Sequence, residues 1–450
     1  MRIPGIPDDS VHALAAAIRD RATDHPDGSG DTGGVVDPVE TVARAAWTCI
    51  AEPGDGAAGG VVTALGAVET LRLLSSRASR RRVEAVCEDR GLGPVTEAVV
   101  AAWASGSARW TARYDPDVVI AAIEAARAAG ARFAVPGSPS WPARLGDLGI
   151  HAPIGLWARG LSVGPALDRS IALVGARAAT GYGEHVTLEA ASGLVGRGFV
   201  IVSGAAYGID GMAHRAALAD GGTTVAFLAG GVDRPYPSGH ASLIARIASA
   251  GSVYAEVPCG ATPTKWRFLQ RNRLIAATAS ATVVMEAGGR SGSLNTAGHA
   301  ASLGRPLGAV PGPVTSAASA GCHRLLREYD ATCVTSAAEM AELADPGLAA
   351  DRFPADAFTG EGRGSTGPEG GGDALARGVT RGAARNSAAA ADSTGSERAD
   401  RVRRALTARP LSIGRLSEAT GLSRGEVQGA LGLLDLQGFA EERHGGWVRR

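Results

Sequence analysis

The sequence predicts an α/β protein: a parallel β-sheet covered by helices on both faces, preceded by a small helical domain and followed by a C-terminal winged helix. Three observations predict it. From residue 131 onward, short apolar β-rich runs alternate with helical stretches. Such alternation builds a parallel sheet between helical layers, and continuous apolar strands fit burial on both faces. Before residue 131, apolar residues recur at spacings of three and four, the mark of amphipathic helices. After residue 397, a helix, a helix–turn–helix and a hairpin follow one another.

Taken in order, residues 1–37 are polar and rich in Gly, Asp and Pro. They are expected to be mostly disordered, with one short helical patch at Val11–Arg19 and little order near Asp24–Val36. A helical N-terminal domain is expected over residues 38–130, with helices at Pro38–Ile50, Gly60–Ser75, Arg80–Arg90, Val95–Ser105 and Pro116–Ala129. No cluster of chemically useful side chains stands out there, so a structural or interaction role is expected. The sheet domain spans residues 131–345, with strands at Phe133–Val135, Ile171–Val174, Phe199–Val202, Thr224–Leu228, Ser252–Glu256, Thr282–Glu286, Leu307–Val310 and Ala331–Val334. Residues 346–397 are dominated by small and polar types, cannot bury a core, and read as a flexible linker. In the winged-helix domain, residues 398–450, helices are expected at Arg398–Ala408 and Ile413–Thr420. Ser423 caps a third, Arg424–Gln437, and Phe439–Glu442 and Trp447–Arg449 flank the turn His444-Gly445-Gly446.

Composition narrows the function. Among 450 residues, 45 Lys+Arg balance 45 Asp+Glu, so the formal net charge is +0 and any basic surface must be local. No run approaches the ~18 apolar residues of a membrane span, and Met1–Asp9 lacks the apolar core of a secretory leader. The five cysteines are odd in number and scattered, with no metal-ligand spacing, which fits a reducing cytoplasm better than a disulfide framework. Cys259 follows Pro258 in a predicted loop, where a reactive thiol is the alternative to a structural one.

Three strand–helix junctions carry glycine-rich loops suited to phosphate. The first is Gly175-Ala176-Arg177. Its glycine allows close backbone approach, and the Arg177 guanidinium offers a forked donor beside a helix N-terminus. The second is Ser203-Gly204-Ala205-Ala206-Tyr207-Gly208-Ile209-Asp210, where Asp210 is read as a helix-terminus stabiliser. The third is Gly288-Gly289-Arg290-Ser291-Gly292-Ser293, preceded by the lone carboxylate Glu286, expected to accept from loop amides. Neighbouring junctions of this kind form an anion pocket at the carboxyl edge of an open sheet. A dinucleotide fingerprint and a P-loop are both missing. The stretch Lys265-Trp266-Arg267-Phe268-Leu269-Gln270-Arg271-Asn272-Arg273 places four cations and two aromatics within nine positions, uninterrupted by an acid. Lys265 is the only lysine in the chain. Cations that track a backbone, with aromatics that stack on bases, make a single-strand-binding surface. Phe268 is expected in the core. No catalytic set and no metal cluster can be assembled, so no catalytic residue, metal or cofactor is expected.

These motifs, together with Gly230-Gly231-Val232-Asp233-Arg234-Pro235-Tyr236-Pro237, Arg271-Asn272-Arg273-Leu274-Ile275-Ala276 and Glu286-Ala287-Gly288-Gly289-Arg290-Ser291-Gly292-Ser293-Leu294, resemble the DprA family of DNA-processing proteins, also called Smf. The likeness covers about residues 140–340. It implies an extended Rossmann-like domain that dimerises, binds single-stranded DNA without chemistry, and loads the RecA recombinase onto incoming DNA in natural transformation. By resemblance, the DNA-contact arginine falls on Arg177 and further basic contacts on Lys265, Arg267, Arg271 and Arg273. The expected DNA- and phosphate-binding set is therefore Gly175, Arg177, Ser203, Gly204, Gly208, Lys265, Arg267, Arg271, Arg273, Arg290, Ser291 and Ser293. Two departures are visible: Ala176 stands where the family often has Ser, and Leu269-Gln270 follow Phe268 where a Phe-Pro pair is usual. A rival reading is a nucleotide phosphoribohydrolase on a related sheet, but Thr296 stands where such an enzyme would need a catalytic Glu. In the tail, ten arginines against six acidic residues leave duplex binding and protein contact both open.

Overall fold

The computed structural model describes residues 2–20, 37–345, 347 and 391–449, the last stretch interrupted at 408, 425, 428–429, 432–433, 435–438 and 444–445. Two compact units result, Met1–Ala344 and Asp345–Arg450. The expected linker falls largely outside the described residues.

The first unit opens with α1 (Asp8–Ala17), α2 (Pro38–Ile50), α3 (Gly56–Leu65), α4 (Ala67–Ser75), α5 (Arg80–Asp89), α6 (Thr96–Thr111) and α7 (Pro116–Ala128). Local chemistry sets their starts. Asp37, Asp55 and Asp115 each accept a first-turn amide, and Pro38 and Pro116 occupy positions where a missing N–H costs nothing. The single helix expected over Gly60–Ser75 is broken at Gly66, whose φ is +76°. At the start of α4 the Ala67 carbonyl also accepts from the Trp47 indole at 3.2 Å.

The expectation of a mostly disordered residue 1–37 segment needs correction for residues 2–20. Ile3, Ile6, Val11, Leu14 and Ile18 are buried. The Phe133 amide donates to Ile18, and the Asp20 carboxylate takes hydrogen bonds from Ser138 and Ser140 and an ion pair from Arg132. This segment is polar in sequence, and only its tertiary partners make it ordered.

Nine strands follow: β1 (Arg132–Ala134), β2 (Leu156–Gly160), β3 (Ser170–Gly175), β4 (Val200–Ser203), β5 (Thr224–Leu228), β6 (Ser252–Ala255), β7 (Ala281–Glu286), β8 (Leu307–Ala309) and β9 (Thr332–Cys333). They form one sheet in the order β1-β2-β6-β5-β4-β3-β7-β8-β9. From β3 to β9 every pairing is parallel, while β2 joins β1 and β6 antiparallel. The strand β2 escaped the sequence reading because Leu156-Trp157-Ala158 is a short apolar run followed by Arg159 and Gly160. Helices α8 (Gly181–Val195), α9 (Ile209–Ala219), α10 (Ala241–Ala250), α11 (Lys265–Thr278), α12 (Ser293–Ser302), α13 (Ala320–Glu328) and α14 (Ala337–Ala344) cover the sheet. One apolar cluster joins Trp47, Ile50 and Trp110 of the helical region to Leu228, Val253 and Ala255 of the sheet. The other gathers Val174, Val202, Phe227, Tyr254, Leu274 and Ile275. The boundary at residue 131 therefore separates element types that share one core. Strand order reverses between β3 and β7, which opens a crevice at their carboxyl ends.

In the second unit, helices span Ala391–Ala405 and Ile413–Thr420. The first begins seven residues before its expected start. Gly421 closes the second in the left-handed region. Ser423 and Glu426 then form a reciprocal cap, and positions 424, 426–427, 430–431 and 434 are helical. Ala440–Arg443 pairs antiparallel with Gly446–Arg449, and Leu411 bridges Trp447. Val402, Leu416, Val427, Leu431 and Trp447 make a core of their own. The architecture is the expected one: helices, a mostly parallel sheet and a C-terminal winged helix. The turn residues His444 and Gly445 lie outside the described residues. Among the described residues, no single helix is long and apolar enough to cross a membrane.

Candidate nucleic-acid interface

The crevice at the β3/β7 reversal is an open cavity of about 950 Å³. Its walls are the loop after β3 (Gly175, Arg177), the loop after β7 (Gly288–Ser293), one face of α11 (Lys265, Phe268, Arg271, Asn272) and Tyr236. Two sequence features hold α11 in place. Thr264 caps it through the Arg267 amide at 3.2 Å, and the apolar run Leu274–Ala277 buries its second half.

Three cations face this cavity without an ion-pair partner among the described residues: Arg177, Lys265 and Arg290. Arg177 and Arg290 come from loops that the fold brings together from distant sequence. The Arg177 guanidinium lies 5.1 Å from the Phe268 ring centroid, and Tyr236 lies 5.4 Å from Phe268 on a tilted plane. Phe268, expected in the core, is thus a half-buried wall of the cavity. Tyr236 is 48 % exposed and Trp266 43 %. The hydroxyls of Ser291 and Ser293 bond each other at 2.8 Å at the start of α12, and the Leu294 and Asn295 amides close its first turn on the Ser291 and Gly292 carbonyls.

Arg271 forms the floor. It is buried, donates to the Gly204 and Phe227 carbonyls at 2.6 Å each, and also donates to Asn272. Burial pulls its pKa down to about 10, while the charge of Asp210 beside it acts in the opposite sense. Burial likewise raises the Asp210 carboxyl, opposed first by Arg271. Glu286, as expected, accepts from the Thr180 amide and hydroxyl at 2.8 and 2.6 Å, and so anchors the loop that carries Arg177.

Several expected contacts are committed elsewhere. Ser203 is fully buried and donates to the Leu173 carbonyl at 2.7 Å, inside the sheet. Arg267 points to the other side of α11, where both Glu52 carboxylate oxygens pair with it at 3.0 and 3.2 Å. Arg273 is buried in a bidentate pair with Glu256 at 2.7 Å. The three glycines leave no room for a side chain, although Gly175 also lines the cavity. A Cβ on Gly175 would lie 2.5 Å from the Ile209 side chain, one on Gly204 would lie 2.2 Å from the Arg271 guanidinium, and one on Gly208 would lie 2.2 Å from the Ala176 carbonyl. Cys259 is buried beside Asp233, and burial pushes its thiol up to about 12, which disfavours the thiolate. Tyr236 was missed among the candidate site residues, although its Tyr-Pro pair in a strand-end loop marked the place.

Comparison with known proteins fits this geometry. Residues 132–345 match the family described as DNA recombination-mediator protein A, and residues 386–446 match the DprA winged helix domain. A Mycobacterium tuberculosis protein described as a putative DNA processing protein DprA is 44% identical over 335 residues, which covers 71% of this chain and 77% of that protein. The chain belongs to the DprA family. The DNA processing protein DprA of Bacillus subtilis is 35% identical over 176 residues, covering 39% of this chain and 59% of the relative. The X-ray structure of DprA from Streptococcus pneumoniae superposes with a TM-score of 0.52 at 26% identity, covering 68% of this chain and 97% of that one. The sheet, the cavity and the basic helix α11 all lie inside the matched DprA region.

Proposed function

We propose that the cavity grips the sugar–phosphate backbone of single-stranded DNA and that the protein acts, as a cytoplasmic homodimer, to load RecA recombinase onto that strand during natural transformation. No covalent step is part of this activity. One observation carries the reading. Arg177, Lys265 and Arg290, each without a carboxylate partner, converge with Phe268 and Tyr236 on one open cavity, in a chain whose net charge is zero. Cations grip phosphates of any sequence, and aromatic faces accept any base. The acid in the cavity, Asp210, sits beside Arg271 in the floor and serves to hold it, not to move protons on a substrate.

The test is a titration of labelled oligothymidylate with the full chain at several salt concentrations. The double variant Arg177→Ala/Lys265→Ala should bind more weakly, and its plot of log affinity against log salt should be shallower by about 1.4, since each single-strand phosphate contact contributes about 0.7. An unchanged slope would remove the cavity from the account. RecA filament growth on the same strand, and sedimentation of the free chain, test loading and dimerisation separately.

A further inference from the structure

The strongest feature the cavity does not absorb lies on the helical region. The turn from α4 to α5 reads Arg77-Ala78-Ser79-Arg80-Arg81-Arg82, four arginines in six positions. All four are exposed. Arg80 is paired with Glu84 at 2.8 Å, but Arg77, Arg81 and Arg82 form no ion pair among the described residues. Elsewhere in the helical region four arginines are paired, Arg44 with Glu40, Arg72 with Glu69, Arg109 with Asp55 and Arg113 with Glu52, while Arg90 and Arg127 form no ion pair among the described residues but each stands apart from other arginines in the sequence.

The fold tolerates this concentration of charge at a cost in two places. Arg81 and Arg82 stand in the first turn of α5, where no acid offsets them and the helix already presents its positive end. Arg77 closes α4 with φ +50°, in the left-handed region that favours glycine. The chain uses glycine at the equivalent place after α5, Gly91 at +66°, and after α7, Gly130 at +63°. A glycine at 77 would relieve the backbone, so the side chain itself is what the position retains. Three unpaired guanidinium groups on one exposed turn are complementary to a chain of phosphates.

We infer that Arg77, Arg81 and Arg82 form a second binding site for the DNA phosphate backbone, separate from the cavity. The cavity reading supplies the identity of the polyanion but not the site. Helix α6 links the two regions. Its Trp103 indole donates to the Ala78 carbonyl at 3.3 Å, and its Trp110 indole donates to Asp55 at 3.0 Å. These tryptophans are seven residues apart, or about 10 Å along the helix axis. Next to Asp55, Gly54 packs directly on Gln270 of α11. A strand that leaves the cavity past α11 thus has a second basic surface within reach along α6.

The experiment uses the full-length chain with oligothymidylates of about 6 and about 40 nucleotides, the shorter one no larger than a single binding site. In the triple variant Arg77→Gly/Arg81→Gln/Arg82→Gln, the glycine suits the backbone and the glutamines are exposed, so the fold is kept. Its thermal midpoint should match the parent's or exceed it. It should bind the short oligonucleotide like the parent. It should bind the long one on the order of tenfold more weakly at low salt, with a salt slope shallower by about 2. Unchanged affinity and slope for the long strand would overturn the inference. So would competition at these arginines by polyglutamate with none by DNA, which would assign the patch to an acidic protein. The cavity variant Arg177→Ala/Lys265→Ala keeps the two readings apart. It should lose the short oligonucleotide, and if it does not while the triple variant still weakens the long one, the cavity reading fails and the patch stands.

Discussion

The two faces of α11 carry the same kinds of residue to opposite ends. On the cavity face, Lys265 is exposed, and Arg177 and Arg290 face it across the opening, all three without a carboxylate partner among the described residues. On the outer face, Arg267 and Arg273 are tied to Glu52 and Glu256, and Gly54 lies so close that a Cβ there would meet the Gln270 amide oxygen at 2.2 Å. Between the faces, Arg271 is buried over Asp210. A basic run in a sequence therefore measures how much charge is present, not how much is available. Here, all three arginines of α11 are tied to other protein groups, and a separate set of three cations, two of them from loops, is left to meet a ligand.

The largest effect that sharpens this contrast is expected at Arg271. Arg271→Ala removes the donor to two buried carbonyls and leaves Asp210 without its counter-charge. Each buried carbonyl left without its donor typically costs about 1–3 kcal/mol. The denaturation midpoint should fall accordingly, and DNA binding should fail with the fold. If the variant keeps its midpoint and loses only binding, Arg271 belongs with the ligand-facing cations and the division drawn here is misplaced.

A smaller effect separates Lys265 from Arg267, two residues apart on one helix. Lys265→Ala should weaken single-strand binding and make its salt slope shallower by about 0.7, with little change in stability. Arg267→Ala should leave the slope as it is, because its charge is already satisfied by Glu52. Its cost should appear instead as a modest loss of stability, discounted because Glu52 is partly exposed. Equal slopes for the two variants would erase the difference between the faces.

What the sequence made legible follows from range. The sheet could be read because its central strands are short continuous apolar runs bounded by glycine turns, all of it local information. The junctions at Gly175, Gly204 and Gly288 were visible for the same reason, although the first two turn out to make room for Ile209 and Arg271. The fate of the basic run was not legible, since the acid that holds Arg267 is 215 positions away, in the helical region. The order of residues 2–20 was hidden likewise, because Asp20 finds its partners at 132, 138 and 140 only after the chain has folded. The arginines of the α4–α5 turn stand together in the sequence, in a region where no cluster of chemically useful side chains was expected. The fold sets them apart by leaving three neighbouring arginines of one turn without an acid among the described residues.

A further effect concerns pH and lies behind the cavity wall. His214 on α9 is fully buried, with Nδ1 bonded to the Thr224 hydroxyl at 2.7 Å and Nε2 without a partner. Burial, helped by the nearby charges of His240, Arg271 and Arg215, pulls its pKa from 6.5 down to about 3. Between those two values the unfolded chain binds a proton that the native chain refuses, so stability rises with pH across that window. The stabilisation is complete above about 6.5 and is lost progressively as pH falls towards 3. The denaturation midpoint should therefore drop between about pH 7 and pH 5, and His214→Asn should flatten that drop while lowering the midpoint at neutral pH. Outer-face variants such as Glu52→Gln should leave the pH slope alone. If the Asn variant keeps the full slope, the proton taken up on unfolding belongs to another group, and the cavity wall is not where acid acts first.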